Sequence, residues 1–385
     1  MLYLLIERFL LNQKIRIIPL RICITGTRGK SSVTRLIAAS LREAGFEVLA
    51  KTTGSKPSII LPDGQEEEIK RGEIPSILEE KKLIRLGARL KINALVSELM
   101  SIRPESGYAE SVQILRPHIL VITNVRLDHL AQMGSSKEAI ARCFASSIPE
   151  KSTVFTPQEE FFPVFQKIAD KLGSKVIQVP RDSFEEYFQA KKKFPFFELE
   201  ENIRLALAVA EFLGINRQVA FRGIVKVKPD FGSLRAWSTE MGSPPRRFYF
   251  VNSFAANDPE STRLVLSNLL KKRIFEENNI IGFLNLRKDR GDRTLQWLEA
   301  LRKGAFPEFK KFYLFGFNAF AFKRRVGLSD KASVTVLKKQ TPEKIIEQIL
   351  KEEKGEAVLV GMGNMGGMGK ELVFYWENIG KPYDL

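Results

Sequence analysis

The chain has 385 residues, 44% of them hydrophobic, and a formal net charge of +16 at pH 7. This length and composition predict two globular domains, while the presence of only two cysteines excludes a disulfide framework and fits the reducing cytoplasm. The positive charge favours an anionic partner through long-range attraction, but no helix-turn-helix, zinc-finger or RNA-binding signature points to nucleic acid.

Residues 1–20 predict an N-terminal helix. Its uninterrupted apolar run stops at Glu7, far short of a membrane span, and it lacks the basic region and cleavage site of a signal peptide. Such a helix could lie on a membrane or a partner, or it could pack on the domain that follows. We expect a cytoplasmic protein that is peripheral at the inner face of the membrane.

Residues 21–34 predict a strand, a glycine-rich turn and a helix in direct succession. Residues 22–25 form a β-branched strand pattern, and a helix pattern opens at Ser31. Between them stands Gly-x-x-Gly-Lys-Ser, a contracted phosphate-binding loop, because the usual form has a glycine five positions before Gly29, where Ile24 stands here. So short a match can also be a surface turn, but the flanking strand and helix favour a phosphate site.

The residue types of this loop suit the phosphates of ATP. Gly26 and Gly29 let the backbone turn with its N–H groups facing inward, and the helix N-terminus favours negative charge. Lys30 can reach the β- and γ-phosphates, and the Ser31 hydroxyl can bind Mg²⁺. The sequence therefore predicts ATP and Mg²⁺ as cofactors.

Strand and helix patterns alternate through the rest of the first half of the chain. Glycines at 45 and 214 end two of the helices, and Pro, Gly and Glu are frequent over 56–75, where we expect an exposed hairpin or loop. Helices are predicted at 31–44, 77–89 and about 200–213, and strands at 46–50, 94–98, 118–125, 153–156 and 175–179.

Two turn-rich segments, 228–233 and 242–245, interrupt the alternation. We place the domain boundary between them, which gives a domain of residues 21–236 and a second of residues 237–385. Beyond the boundary, strands are predicted at 248–251, 280–286, 312–315 and 357–361, and helices from 259, 292, 342 and about 368. The pattern predicts an α/β fold: a parallel-sheet ATP-binding domain followed by a smaller Rossmann-like domain.

Polar side chains follow the strands nearest the loop, and ligands bind at such strand ends in parallel sheets. Glu98 ends one strand, and Asn124, Asp128 and His129 follow another. Because Mg²⁺ takes few protein ligands besides phosphate oxygens and water, we predict Ser31, Glu98 and His129 as its ligands. Taken singly, Glu98 could be an ordinary strand-end charge and His129 a surface imidazole. His118, after a proline, is expected to be structural.

Several motifs together resemble the Mur ligase family of ATP-dependent amide-forming ligases. Four occur in the order of that family: residues 25–32 (TGTRGKSS), 97–98 (SE), 123–129 (TNVRLDH) and 201–208 (ENIRLALA). Others resemble the ligase subunit of poly-γ-glutamate synthase, the capsule-forming type: residues 51–54 (KTTG), 252–258 (NSFAAND), 289–294 (DRGDRT) and 360–364 (VGMGN). The resemblance covers about residues 20–370.

This resemblance implies an activity and its partners. ATP would phosphorylate the γ-carboxyl group of a glutamate, and the amine of another glutamate would attack the acyl phosphate to form an amide. The implied partners are glutamate, an anionic poly-γ-glutamate chain and membrane subunits of a synthase complex. A homo-oligomer is compatible with the sequence as well.

The resemblance also implies roles for single residues. Lys30, Glu98 and His129 would be catalytic. The nucleotide would contact Gly26, Thr27, Arg28, Gly29, Lys30, Ser31, Ser32, Asn202, Arg235, Asn257 and Asp258. The substrate would face Thr53, Arg126, Asp289, Arg290, Asp292 and Arg293, although the last four also fit a salt-bridged helix start.

Two features depart from the wider family. Its Asp-Tyr-Ala-His loop is replaced by Ser-Phe-Ala-Ala at residues 253–256, which fits the polyglutamate subgroup. The phosphate loop begins at Gly26, and this leaves no room for the N-terminal domain that binds a uridine-diphosphate sugar, so we do not expect a peptidoglycan precursor as substrate.

Two other functions stay open at this stage. A folylpolyglutamate synthase-like ligase shares the two-domain layout and also adds γ-glutamates. A P-loop ATPase that acts on a partner would hydrolyse ATP without depending on any amino acid.

Overall fold

The computed structural model describes residues 2–54, 56–71, 76–180, 198–271, 274–275, 279–327, 333–338 and 340–385. They form two compact units, of which the first ends at Asp230 and the second begins at Phe231. The change from one unit to the next thus falls inside the first of the two turn-rich segments.

The first unit is an eight-stranded sheet with helices on its faces. Its strands are β1 (Leu20–Thr25), β2 (Val48–Thr52), β3 (Ser58–Ile60), β4 (Glu66–Glu68), β5 (Ala94–Glu98), β6 (Ile119–Ile122), β7 (Thr153–Thr156) and β8 (Lys175–Gln178). The helices are α1 (Leu2–Arg16), α2 (Lys30–Glu43), α3 (Glu79–Leu90), α4 (Pro104–Tyr108), a π-helix (Ala109–Leu115), α5 (Leu130–Met133), α6 (Lys137–Ala145), α7 (Phe162–Lys171), α8 (Glu200–Phe212) and α9 (Arg217–Val225).

The strand order is β4-β3-β2-β5-β1-β6-β7-β8. Strands β2, β5, β1, β6, β7 and β8 pair in parallel. The apolar residues of β2, β5, β6 and β7 are buried, as is usual in a parallel sheet covered on both faces, whereas those of β8 are only partly buried. The hairpin predicted over 56–75 is present as the antiparallel strands β3 and β4, although residues 72–75 lie outside the described residues. The sheet is therefore mixed, and parallel only from β2 to β8.

The central strands carry the predicted polar ends to one edge of the sheet. In the register of β1 and β5, Ile24 lies opposite Glu98, and Leu99 N–H continues the ladder to Ile24 O. Helix α2 packs on β2 and β5 from one side, and α3 packs with α1 and the π-helix. The phosphate loop, at the end of β1, thus lies between the ends of β5 and β6.

The second unit is a seven-stranded mixed sheet in the order β13-β12-β11-β14-β10-β9-β15. Its strands are β9 (Arg235–Met241), β10 (Arg246–Asn252), β11 (Asn279–Leu286), β12 (Lys311–Gly316), β13 (Ser333–Val336), β14 (Ala357–Gly363) and β15 (Lys381–Tyr383). Its helices include α10 (Pro259–Leu269), α11 (Gly291–Arg302), α12 (Ala319–Val326), α13 (Pro342–Glu352) and α14 (Met368–Ile379).

The second sheet is parallel except on the side of β9 and β15. Strand β9, which the sequence analysis did not assign, pairs antiparallel with β10, and β15 pairs antiparallel with β9. The turn at 242–245 connects β9 to β10, so it is a hairpin turn inside the second unit. A linker and a hairpin turn have similar sequences, because both need residues that reverse the chain.

Helix α1 packs on the first unit along one side. Leu11 and Ile15 are buried in the core of that unit, and burial of such a side chain contributes about 1.5–3 kcal/mol. Glu7 accepts hydrogen bonds from Lys81 and Arg85 of α3, each at 2.9 Å. Among the described residues, none of the helices combines the length and the apolar character needed to cross a bilayer.

Candidate functional site

The phosphate loop needs glycine at both of its turning points. Gly26 has φ +127° and Gly29 has φ +79°, a region that other residues rarely adopt. A Cβ atom on Gly26 would lie 2.2 Å from Thr123 Oγ1, and one on Gly29 would lie 2.6 Å from Asn202 Oδ1. The loop therefore passes too close to β6 and α8 for any side chain at these two positions.

The end of β6 fixes the loop by hydrogen bonds. Asn124 Oδ1 accepts from Arg28 N at 2.9 Å, and Asn124 Nδ2 donates to Arg28 O at 3.0 Å. Thr123 Oγ1 donates to the same carbonyl at 2.6 Å, and Thr27 N–H donates to Asn124 O at 3.0 Å. In the sequence Asn124 is only a polar residue after a strand, whereas in the structure it makes three hydrogen bonds to the loop.

Arg126 follows on the same segment and meets the loop through its backbone. Its N–H donates to Thr27 Oγ1 at 3.0 Å, and Thr27 Oγ1 donates to Arg126 O at 3.2 Å. Arg126 is 9% exposed. Thr27 thereby connects the loop to the chain that leads to Asp128 and His129.

Lys30 begins helix α2 directly after the loop. Its Nζ lies over the loop and donates to Gly26 O at 2.8 Å and to Thr27 O at 3.3 Å. Gly29, at the N-cap, provides no side-chain cap, and the N-terminus of a helix favours the binding of an anion. A cation and a helix N-terminus therefore face the same loop.

Glu98 connects the loop to the neighbouring strand ends. Its Oε2 accepts from Ser31 Oγ at 2.7 Å and from Thr53 N–H at 2.7 Å, and the residue is 3% exposed. A serine hydroxyl and a carboxylate oxygen in contact are the hard donors that Mg²⁺ prefers. These two side chains fit a magnesium ion beside the loop.

His129 stands next to Asp128 at the start of the short helix α5. Its Nε2 lies 3.6 Å from Asp128 Oδ2, the oxygen that also accepts from Arg28 Nη1 at 2.8 Å. The residue adopts φ +49°. Among the described residues, no group of three or more His, Cys, Asp or Glu side chains is arranged to hold a metal. The structure thus joins Ser31 to Glu98 directly, and the metal role of His129 stays a prediction.

Asn202 of α8 lies against the loop and is held by a buried carboxylate. Asn202 Nδ2 donates to Glu198 Oε1 at 2.7 Å, and Ser32 also hydrogen bonds to Glu198. Burial raises the pKa of Glu198, while these hydrogen bonds and the one from Leu199 N–H oppose the rise. Glu198 was not predicted as a site residue, because its only signal in the sequence is a position just before a predicted helix.

The remaining nucleotide residues lie in the second unit. Arg235 Nη1 donates to Glu377 at 2.8 Å, and its guanidinium lies 5.1 Å from the centre of the Trp237 ring. Asp258 caps α10, since it accepts from Ser261 N–H at 2.8 Å and from Ser261 Oγ at 2.6 Å. Asn257 O accepts from Trp297 Nε1 at 3.0 Å. Their nucleotide contacts stay predictions.

The charged residues at 289–293 lie around the start of α11. Asp289 accepts two hydrogen bonds from Arg287, at 2.9 and 2.7 Å. Arg290 precedes the helix and Asp292 lies in its first turn. Arg293 is 6% exposed and donates to Asn364 Oδ1 at 3.1 Å. Asp289 and Arg287 thus form an ion pair just before the helix, and the substrate role of residues 289–293 stays a prediction.

A contracted phosphate loop with a carboxylate from the adjacent strand defines the class of P-loop nucleotide-binding proteins. The Mur ligase middle domain matches residues 24–220, and the C-terminal domain of poly-gamma-glutamate synthase CapB matches residues 239–379. The chain belongs to the Mur ligase family, in the branch that contains CapB.

Two relatives place the chain within that family. It is 32% identical to the PGA synthase CapB of Bacillus subtilis (strain 168) over 367 residues, covering 94% of this chain and 91% of that protein. It is 34% identical to the capsule biosynthesis protein CapB of Bacillus anthracis over 296 residues, 74% of this chain, and the match spans only 61% of that protein.

One similar solved structure is FolC of E. coli in complex with DHPP and ADP. It aligns with a TM-score of 0.69 over 97% of this chain and 92% of that chain, at 15% sequence identity. At this identity the likeness concerns the fold.

Proposed function

We propose that this ligase joins glutamates through γ-amide bonds, using ATP and Mg²⁺, and so extends poly-γ-glutamate. One observation carries the proposal: Ser31 and Thr53 meet on a single oxygen of Glu98, next to the glycine turn and Lys30. Support also comes from the two CapB relatives, whose names give them a role in the synthesis of PGA or of a capsule.

The reaction has two steps. A γ-carboxylate oxygen of glutamate attacks the γ-phosphorus of ATP, so that an O–P bond forms and the bond from phosphorus to ADP breaks. The amine of a second glutamate then attacks the carbonyl carbon of this acyl phosphate. A C–N bond forms, the C–O bond to phosphate breaks, inorganic phosphate leaves, and the nitrogen loses a proton.

The loop residues stabilise the first step electrostatically. The Nζ of Lys30 and the N–H groups at the start of α2 bind the phosphates and offset the charge that develops on the transferred phosphoryl group. Ser31 and Glu98 would hold Mg²⁺, with His129 as a third ligand. A bound Mg²⁺ supplies further charge stabilisation and orients the phosphates.

The charge of the chain suits the product. Poly-γ-glutamate carries one free carboxylate per residue, and a net charge of +16 attracts such a polymer over about a Debye length, ~8 Å at physiological salt. Attraction of this kind weakens as ionic strength rises.

The exposed side of α1 supports a peripheral position at the membrane or on membrane subunits. Phe9 is 60% exposed, Leu10 is 49% exposed, and Ile17, just beyond the helix, is 60% exposed. Lys14 and Arg16 lie in the last turn of the same helix. Apolar residues beside basic ones are typical of helices that lie on anionic lipid.

The test is ADP and phosphate release from Mg-ATP, with and without glutamate and short γ-glutamyl oligomers, with products identified by mass spectrometry. We expect glutamate-dependent ADP formation and mass increments of one glutamyl residue. Glutamate labelled with ¹⁸O in its γ-carboxyl group should pass one label to phosphate if an acyl phosphate forms. Hydrolysis that is independent of glutamate would favour the ATPase, and extension of a folate acceptor would favour the folylpolyglutamate synthase-like ligase.

A further inference from the structure

A second polar cluster lies behind the strand ends that carry Glu98 and Thr53. Lys51 of β2 is 1% exposed and forms an ion pair with Glu80 of α3, which is 0% exposed. Ser97 of β5 donates to the other oxygen of Glu80 at 3.1 Å, and Glu79 lies 3.5 Å from Lys51 Nζ. A single carboxylate of α3 therefore joins β2 to β5.

The register places this cluster directly against the candidate metal site. Lys51 lies opposite Ser97 in the parallel pair of β2 and β5. Ser97 precedes Glu98, and Lys51 stands two residues before Thr53. Because successive strand residues point to opposite faces of a sheet, Ser97 faces α3 while Glu98 faces α2 and the phosphate loop.

The chain just beyond β5 is fixed from the same side. Glu110, in the π-helix, is 0% exposed, and its carboxylate accepts from Met100 N–H and Ser101 N–H, each at 3.0 Å. Burial raises the pKa of Glu80 to about 7, and the charge of Glu110 adds to the rise while Lys51 opposes it. Two buried carboxylates and a lysine thus surround the end of β5.

Stability alone does not account for such a cluster. Desolvation of two charges offsets most of their mutual attraction, and apolar side chains of similar volume often stabilise a core equally well. What the ion pair adds is a defined geometry, because the Lys51 ammonium and the Ser97 hydroxyl must each reach one oxygen of the same carboxylate.

We propose that Lys51, Glu80 and Ser97 are positioning residues for Glu98. They fix the ends of β2 and β5 at the separation that lets Thr53 N–H and Ser31 Oγ reach the same oxygen of Glu98. The inference rests on the proposed function, in which Ser31 and Glu98 hold the metal. Loss of contacts behind a metal ligand typically weakens metal affinity by about 10–100-fold.

The direct test is Mn²⁺ binding to the full chain in the presence of ADP, followed by electron paramagnetic resonance of free Mn²⁺. The double variant Lys51→Met/Glu80→Leu removes both charges together and leaves neither buried alone. We expect it to fold and to bind Mn²⁺ about tenfold or more weakly, while its affinity for ADP without metal stays unchanged. The matched control is Lys311→Met/Glu352→Leu, which removes an ion pair of the second unit and should leave Mn²⁺ affinity unchanged.

Ser97→Ala gives a second test that buries no lone charge. We expect Mn²⁺ affinity to fall by about threefold or more, with recovery in Ser97→Thr, which restores a hydroxyl. If Lys51→Met/Glu80→Leu folds and binds Mn²⁺ as tightly as wild type, the positioning role is wrong. If the double variant does not fold, wild-type Mn²⁺ affinity in Ser97→Ala would overturn the positioning role. Glu98→Gln distinguishes failure of the proposed metal site from failure of the positioning role. If the wild-type chain binds no Mn²⁺, or if Glu98→Gln binds Mn²⁺ as tightly as wild type, the proposed metal site is wrong. The positioning role is then wrong as well.

Discussion

Replacing Asn124 by alanine should weaken nucleotide binding without unfolding the chain. The change removes two hydrogen bonds that fix the loop, Arg28 N–H to Oδ1 at 2.9 Å and Nδ2 to Arg28 O at 3.0 Å. Each is worth about 0.5–1.5 kcal/mol, so their sum is about 1–3 kcal/mol. Since about 1.4 kcal/mol corresponds to a factor of ten, ADP affinity should fall roughly 5- to 150-fold.

The assay is isothermal titration with ADP beside thermal unfolding of the same samples. A matched control is Asn216→Ala, because Asn216 caps α9 by accepting from Gln218 N–H at 2.9 Å. Loss of that cap should cost about 1 kcal/mol of stability and leave ADP affinity unchanged. An Asn124→Ala variant that binds ADP within twofold of wild type would refute the view that β6 orders the loop.

Three further predictions concern Lys30, Glu198 and the exposed side of α1. Lys30→Ala should reduce turnover by a factor of about 100 or more with an unchanged melting temperature, since it removes the cation that we propose binds the phosphates. Substantial turnover in the folded variant would contradict the proposed role of the loop. Burial raises the pKa of Glu198 above its ordinary 4.5. The contribution of Glu198 to stability should therefore be fully present below pH 4.5 and be lost as pH rises through the raised pKa. Glu198→Gln should remove this decline in thermal melts between about pH 5 and 8, and an unaltered slope would show that Glu198 does not cause it. Phe9→Ser/Leu10→Ser should lower sedimentation with vesicles of anionic lipid, and binding equal to wild type would mean that this face of α1 does not contact lipid.

The sequence predicted the phosphate loop and the Glu98 strand end because both depend on local pattern. A β-branched run, two glycines and a helix start lie within fourteen consecutive residues, and a carboxylate at the end of a buried strand is visible without knowing its neighbours. The parallel order of central strands followed from the alternation with helices. These features need no information about contacts between distant residues.

The parts that escaped prediction depend on such contacts. Asn124 bonds to a residue 96 positions away, and Lys51 meets a carboxylate 29 positions away. Neither residue type carries a local signal for its partner. The antiparallel strands β9 and β15 were missed for a similar reason. Their pairing depends on the whole sheet, since it is set by burial and by cross-strand neighbours more than by propensity.

Helix α1 has one packed side and one exposed side. Sequence patterns allowed a helix packed on the domain or one lying on a membrane. Leu11 and Ile15 are buried, whereas Phe9 and Leu10 are exposed, so one side of the same helix packs on the first unit and the other faces outward. The two interpretations are therefore compatible, and only the outward side is relevant to a membrane.

The attachment of the loop to β6 has a consequence for catalysis. Because Thr27 and Arg28 are bonded to residues 124 and 126, the loop and the chain leading to His129 form one hydrogen-bonded body. Arg28 is also paired with Asp128 at 2.8 Å. A nucleotide bound by the loop would thus keep a fixed relation to His129, while Glu98 approaches from a different strand. Changes that loosen the bonds of Asn124 should affect both the phosphates and His129, whereas changes at Lys51 or Ser97 should affect Glu98 alone.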